Sequence, residues 1–451
     1  MITACATLKA RGCQSNGAVA QCSFSLFTTF GHAGSGHLRP PIHFDAERVL
    51  MRSVWQFHTS SQLVFGWGAA GQLPGLIQRH GYRRILIVTD RVLAANGIVD
   101  RIRMPLVNAG LDVHVFDGGE PEPSVDSAMR TLEDARRYKP DAIVGLGGGS
   151  NMDLAKVTAA AYSHEGTPSD YFGWDRVPGP VTPLICVPTT SGTGSEVSHA
   201  AVLTDTQNAI KVSTLSNYLR PAIALVDPEL TLSCPAKVTA DSGIDALTHA
   251  IEACTAVDFQ QMPLKENETA AYEGRTPLGE CLAEKAISLI GRHLETAVRE
   301  PGHREAREGM SLAATLAGMA FSNCAVAVVH ALEYPMGGEL HVSHGAGNGL
   351  LLPFVMRFNL PERVSTFARI ATLLGEDTAG KSDAVAAEQA IFAVEKLKRA
   401  VGIPERIRDI GGREEQLPRF AAKAFAIKRL MMVNPRQPTE ADLLEILRAA
   451  Y

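Results

Sequence analysis

AIVGLGGGSNMDLAK, residues 142–156, runs from a short apolar stretch through three glycines directly into a helix start. Ala142 to Gly147 is β-rich, and Gly147-Gly148-Gly149-Ser150-Asn151-Met152-Asp153 opens a helix that continues through Leu154, Ala155 and Lys156. Glycines there let a backbone come close to a pyrophosphate, and the free N–H groups of a helix start attract the anion. The same turn also serves as a tight strand-to-helix connection with no ligand. Gly148, Gly149, Ser150 and Asp153 are the candidate cofactor contacts of this motif.

Outward from it, the chain repeats one pattern. Ile85–Asp90, Val113–Phe116, Leu184–Pro188 and Ala222–Asp227 are further short apolar runs separated by amphipathic segments of helix length. Near-continuous apolar strands alternating with helices imply a parallel sheet covered on both faces, with ligands at the carboxyl ends of its strands. A second hydroxyl- and Gly-rich turn, Pro188-Thr189-Thr190-Ser191-Gly192-Thr193-Gly194-Ser195-Glu196, follows one of these runs and adds Thr189, Thr190 and Thr193. Asp90 ends the first run, where a carboxylate accepts from a ribose 2′-OH and repels a 2′-phosphate, which favours NAD over NADP. An N-cap role suits it equally. Asp153, Lys156 and Glu196 are otherwise explained by helix capping and i, i+4 pairing.

From Ala236 the chain reads as helix after helix, rich in Ala, Leu and Glu. The expected organisation is an extension at 1–50, an α/β dinucleotide-binding domain at 51–235 and an all-α metal-binding domain at 236–451. Met1 to Phe44 holds no Asp or Glu and only Lys9, Arg11 and Arg39 as cations, which fits a disordered extension, with mitochondrial-type targeting as the alternative. Folding is expected to begin at Met51, with a first strand near Val54 to Phe57 that could pair across a two-fold axis. Ala256 to Gly279 is polar, carries two prolines and reads as a long loop between two helices.

Composition excludes several classes. With 43 Lys+Arg against 48 Asp+Glu in 451 residues, the net charge of −5 argues against a nucleic-acid binder, which needs a basic surface. No apolar run has the length of a membrane helix, so a soluble protein is expected. Eight scattered cysteines without a CxxC pair match neither a disulfide framework nor a cysteine zinc site, which points to a reducing, cytoplasmic setting.

Asp241-Ser-Gly-Ile-Asp245-Ala-Leu-Thr-His249-Ala-Ile-Glu252 puts Asp245 and His249 on one helix face. Alone, such a pair is as often a surface hydrogen bond. Later, histidines flank a Gly-rich break in HALEYPMGGELHVSHG, giving His330, His341 and His344 in apolar surroundings. Buried histidines need partners. One carboxylate and three imidazoles, Asp245 with His249, His330 and His344, suit a divalent first-row metal with an open position, and His341 is a fifth participant or a group behind the ligands.

Taken together, GGGSNMDLAK, PTTSGTGSEVS, DSGIDALTHAIEA and HALEYPMGGELHVSHGAGNGLLLP resemble the signatures of the iron-containing (group III) alcohol dehydrogenase family, in family order, from about Val54 to Tyr451. The resemblance implies an N-terminal dinucleotide-binding domain, a helical metal domain and a cleft between them. It implies metal ligation by Asp245, His249, His330 and His344, and cofactor contacts at Asp90, Gly149, Ser150, Thr189, Thr190, Thr193 and Lys211. Ferrous iron is the metal implied, with zinc, manganese or another divalent ion open to the same ligands. The reaction implied is hydride transfer between NAD and a primary alcohol or aldehyde, in a homo-oligomer, dimer or larger.

Two departures stand out. Where some members have a second histidine four residues after the first, this chain has Tyr334, so proton transfer falls to Tyr334, a ribose hydroxyl or water, with His341 as a further candidate. AAYEGRTPLGE resembles an insertion of the hydroxyacid-oxoacid transhydrogenases, which keeps a 4-hydroxybutyrate-like acid in view. A dehydroquinate-synthase-like lyase shares the architecture, but its phosphate substrates call for more basic residues than the histidine cluster has nearby. A non-catalytic metal-binding protein would leave the glycine turns without nucleotide. Phe321 and Met431 or Met432 are read as lining the substrate side or as plain core.

Overall fold

Strands whose two faces are both buried cannot alternate apolar and polar residues, and this is what the first half of the chain shows. The computed structural model describes residues 52–206, 210–262 and 269–451. Its strands in chain order are β1 (Gln62–Phe65), β2 (Arg84–Val88), β3 (Asp112–Phe116), β4 (Ala142–Gly147), β5 (Gly173–Trp174), β6 (Leu184–Pro188), β7 (Ala200–Asp205), β8 (Ile210–Leu215) and β9 (Ile223–Val226). Six form one sheet, in the order β1-β9-β6-β4-β2-β3, with every pair parallel. In β2, Ile85 and Ile87 enter the core on one face with Ile102, Leu106 and Val144, while Leu86 and Val88 enter that on the other with Leu132 and Leu154.

β2 has β3 on one side and β4 on the other, so the chain reverses direction across the sheet between β2 and β4. A crevice opens beyond the strand ends at such a point. Asp90 follows β2 and Gly148 follows β4, which places both at its mouth.

The expected first strand is corrected. Residues 52–60 form no strand, and Val54 is 71% exposed. The segment is held by polar contacts instead, Arg52 with Glu273 and the His58 N–H with Asn323 Oδ1 at 2.7 Å. The sheet begins at Gln62. β7 and β8, an antiparallel pair with β5 alongside β8, were not anticipated. The extension at 1–50 lies outside the described residues, as does part of the loop at 256–279.

Beyond Pro235 the chain is helical. Ala236–Thr255 packs against Pro277–Arg299, Arg304–Phe321 and His344–Asn359 around one apolar core. No helix among the described residues is long and apolar enough to cross a membrane.

One buried cation in this half carries a stability prediction. Lys398 is 3% exposed, its Nζ reaches only the Leu350 carbonyl, at 3.3 Å, and burial pushes its pKa down to about 8. The charged form is therefore penalised in the folded state. The penalty is full below pH 8 and fades as pH rises toward the unfolded value of 10.5. Lys398→Met is expected to raise stability at neutral pH by roughly 1–3 kcal/mol, a gain that shrinks above pH 9 in denaturant titrations.

Candidate metal and cofactor site

The glycine turn is shaped by what lies against it. Gly147 has φ +143°, and a Cβ there would sit 2.2 Å from Asn151 Nδ2; at Gly149 it would sit 2.7 Å from Thr193 Cγ2. The second turn thus packs directly on the first. Asn151 Nδ2 donates to Asp90 Oδ2 at 2.7 Å, while Asp90 Oδ1 accepts from the Val92 and Leu93 N–H groups at 2.9 and 3.0 Å. The N-cap role of Asp90 is realised, and the residue also lines a cleft with Gly148, Ser150, Thr189 and Thr190. A carboxylate has about four lone-pair sites, so three bonds leave one for a further hydroxyl.

Ser150 also lines a second cavity, with Gly149, Asp153, Thr193 and Lys211 on the sheet side and Asp245, His249, His330, His344 and Tyr334 on the helical side. The two clefts adjoin at Ser150. Every cofactor-contact candidate lines one or the other.

Asp153, Lys156 and Glu196 depart from the surface-pair reading, because the helix Gly149–Ser163 is buried along nearly its whole circumference. Lys156 is fully buried, and its Nζ donates to Ser195 Oγ, Ser198 Oγ and the Ser198 and Ala200 carbonyls at 2.9–3.1 Å. Ser195 Oγ in turn donates to Asp153 Oδ1 at 2.6 Å, and Asp153 Oδ2 accepts from the Val202 N–H. Glu196, 2% exposed, accepts from Thr315 Oγ1. The three residues fasten the second turn in place.

On the helical side, Asp245, His249 and Glu252 fall at i, i+4 and i+7 of Ala236–Thr255, while His330, Glu333 and Tyr334 fall at i, i+3 and i+4 of Val328–Leu340. His344 begins the helix that carries Asn348. His330 Nδ1 donates to Glu252 Oε2 at 2.6 Å, and His344 Nδ1 donates to Glu333 Oε2 at 2.5 Å. Each carboxylate fixes its imidazole with the lone pair on Nε2. Both Nε2 atoms lie 4.0 Å from Asp245 Oδ1, and the ligand atoms of these three residues are within 4.8 Å of one another. His249 Nε2 lies 3.9 Å from Asp245 Oδ2, its ring stacked on Phe321 at 4.2 Å and on His330 at 4.9 Å.

This donor set fits a divalent cation. Three lone-pair atoms converge, and the group that reaches all of them is Asn348 Nδ2, at 2.8 Å from Asp245 and 3.2 Å from each imidazole. Its two N–H bonds cannot serve three acceptors in a buried pocket. Burial would raise the Asp245 pKa, but His249, His344 and His330 outweigh it and hold the value at about 2. Burial pushes His249 down to about 3, so it is a neutral ligand-type imidazole.

Other candidates separate clearly. His341 ends its helix in a left-handed conformation, φ 53°, exposed and outside both clefts, because the chain must reverse there before the next helix. Phe321 and Tyr334 line the cavity. Met431 is packed in the helical core and Met432 is exposed, whereas Arg429 of the same short helix lines the cavity. Glu252, Glu333, Asn348 and Arg429 were not singled out from sequence. The first three had a signal in their spacing, i+7 from Asp245, i+3 from His330 and i+4 from His344.

Acceptors arranged for a cation, in a cavity shared with a glycine turn at a sheet switch point, form the layout of a metal-dependent enzyme of the dinucleotide-linked kind. Family comparison makes this particular. Residues 60–228 match the model described as iron-containing alcohol dehydrogenase, and residues 239–451 match its C-terminal counterpart. The chain belongs to the iron-containing alcohol dehydrogenase family. It is 38% identical over 389 residues to long-chain-alcohol dehydrogenase 1 of Geobacillus thermodenitrificans (strain NG80-2), covering 86% of this chain and 94% of that protein. It is 35% identical over 387 residues to the NAD-dependent methanol dehydrogenase of Bacillus methanolicus, covering 86% and 97%. The solved structure of a 1,3-propanediol oxidoreductase superposes with a TM-score of 0.82 at 36% identity, covering 88% of this chain and all of that one.

Proposed function

We propose that the protein interconverts a primary alcohol and its aldehyde with NAD as the hydride partner, and that Asp245, His249, His330 and His344 hold one divalent metal, ferrous iron by family. The convergence of Asp245, His330 and His344 within 4.8 Å, in a cavity shared with Gly149, Ser150 and Thr193, carries this reading. Bound there, the metal supplies Lewis acidity at the substrate oxygen and the nicotinamide supplies or accepts the hydride. Everything else falls to the chain. Glu252 and Glu333 fix the imidazole rings. Phe321 and Val326 give the cavity an apolar wall that limits water. Gly148 and Gly149 with the helix start behind them receive the pyrophosphate, and Thr189, Thr190, Thr193 and Lys211 flank its path.

Tyr334 replaces the second histidine. Burial pushes its phenol up to about 12, so at neutral pH it keeps its proton at Oη. It therefore donates a hydrogen bond toward the reacting oxygen and does not act as a base. Asp90, with one lone-pair site left, favours a free 2′-hydroxyl and hence NAD over NADP.

The test is metal analysis of anaerobically purified protein, followed by NADH and NADPH oxidation with short aldehydes. We expect one divalent ion per chain and aldehyde-dependent NADH consumption that a chelator abolishes and ferrous iron restores. A protein that holds its metal and binds NAD yet fails to oxidise NADH with every aldehyde tried refutes the proposal.

A further inference from the structure

Glu122 stands where the two clefts adjoin, in a conformation that needs support. It lies between Pro121 and Pro123 with φ 52°, a left-handed geometry that is costly for a residue with a side chain. Polar contacts hold it there. Its N–H donates to Ser150 Oγ at 3.3 Å, its carbonyl accepts from Thr204 Oγ1 at 3.4 Å, and the Thr204 N–H donates to the Pro123 carbonyl at 2.8 Å. So fixed, Glu122 lines the cavity that holds Gly149, Ser150, Thr193 and the Asp245 cluster.

There it meets Lys211, whose Nζ donates to Glu122 Oε1 at 3.0 Å and lies 3.6 Å from Glu333 Oε1. Two carboxylates thus face one ammonium, and the three together carry one net negative charge. Burial would lower the Lys211 pKa, but Glu333 and Glu122 outweigh it, so the ammonium stays charged. Glu333 is buried and holds His344, whereas the Glu122 side chain is 39% exposed and forms the outer end of the three. Asp153, the other sheet-side carboxylate of the cavity, has Lys156 beside it to offset its charge.

What passes Glu122 follows from the two ends of the site. The pyrophosphate goes to Gly148 and Gly149, the hydride is exchanged at the Asp245, His330 and His344 cluster, and Ser150, bonded to the Glu122 N–H, lines both clefts. The nicotinamide half of the cofactor therefore spans the stretch that Glu122 borders. That ring is a cation when oxidised and neutral when it carries the hydride, so a carboxylate beside its path interacts with the two forms unequally. An equilibrium shifts only by such a difference in affinity.

We propose that Glu122 sets the relative affinity of the protein for the two oxidation states of its cofactor, its carboxylate favouring the cationic ring of NAD over the neutral ring of NADH. This rests on the dinucleotide-linked reading above. When the C–H bond of the dihydronicotinamide breaks and its electron pair passes with the hydride to the aldehyde carbon, the positive charge that the ring gains is met by Glu122. The same carboxylate loosens NADH relative to NAD.

The test uses the full-length, metal-loaded protein, with NAD binding measured by calorimetry and NADH binding by its fluorescence, in wild type, Glu122→Gln and Glu122→Asp. Glutamine keeps the shape and removes the charge. Kd(NAD)/Kd(NADH) is expected to rise about 5- to 10-fold in Glu122→Gln, the scale of one charge acting through a partly solvated site, and to stay within about 2-fold of wild type in Glu122→Asp. The difference between wild type and Glu122→Gln is expected to shrink as salt is raised from about 0.05 to 0.5 M, which a purely structural role would not produce. Fixed charges elsewhere in the cavity, Arg429 among them, are common to wild type and variant and cancel in the comparison. Affinities for NAD and NADH that change by the same factor in Glu122→Gln overturn the proposal, because they make Glu122 a ribose contact or a partner of Lys211 on the phosphates. So does a shift in Glu122→Asp as large as that in Glu122→Gln. A wild-type protein that binds neither form refutes the dinucleotide reading and this proposal with it, whereas binding of both with an unchanged ratio in Glu122→Gln overturns this proposal alone.

Discussion

Asp245→Ala is expected to yield a protein that binds NAD but retains no metal, with turnover lower by about three orders of magnitude, roughly 4 kcal/mol of transition-state stabilisation. Asp245 is the one carboxylate among the ligand-type groups, 3.9–4.0 Å from the Nε2 atoms of His249, His330 and His344. Without it, three imidazoles and the Asn348 amide would face a dication with no ligand-type anion to offset its charge. The cofactor turn is on the opposite wall and keeps its own packing through Thr193. Mass spectrometry of bound metal and calorimetry of NAD binding check both halves of the expectation. Full metal content in Asp245→Ala would remove this residue from the ligand set.

Lys156→Ala is expected to cost about 3–5 kcal/mol of stability, the range for breaking a buried charged network, and to weaken NAD binding along with it. The side chain is fully buried and donates to four oxygens of the 195–200 segment. Alanine leaves the Ser198 and Ala200 carbonyls unmatched, opens a cavity, and strips Asp153 of the nearby positive charge that offsets its burial. The turn whose Thr193 abuts Gly149 then loses its anchor. Guanidinium melts and NAD titrations measure the two effects. A melt within about 1 kcal/mol of wild type would show that the network is not what holds the turn.

Five parallel strands were legible because burial on both faces leaves uninterrupted apolar runs, and Ala142–Gly147 and Leu184–Pro188 begin and end where the sequence places them. β7 and β8 were not, since Thr204, Asp205 and Lys211 break the apolar pattern that would announce a hairpin. Val54 misled because local alternation does not say whether a partner strand is within reach. Lys156 misled in the opposite way. A lone lysine among Leu154, Ala155, Val157 and Ala159 sits in a helix apolar all round, and such a helix is buried whatever its charged residue prefers. Asp245, His249, His330 and His344 were legible as residue types, but Glu252 and Glu333 emerge only once helix spacing is combined with the ring nitrogen each one must hold. Arg429 had no sequence signal, since the helix Lys428–Met432 is too short for a period to show which of its side chains faces the cavity.

Glu333 touches both sides of the molecule's central cleft, holding His344 Nδ1 at 2.5 Å and facing Lys211 Nζ of β8 at 3.6 Å. Its two oxygens therefore answer to different occupants. On the proposed reading, a dinucleotide drawing Lys211 toward its own phosphates or ribose would alter the charge on the carboxylate that holds His344, and a metal on His344 would alter the carboxylate that faces Lys211. Thermodynamic linkage then makes the traffic symmetrical. Whatever factor metal occupancy contributes to dinucleotide affinity, dinucleotide occupancy returns to metal affinity, in the same direction and to the same extent.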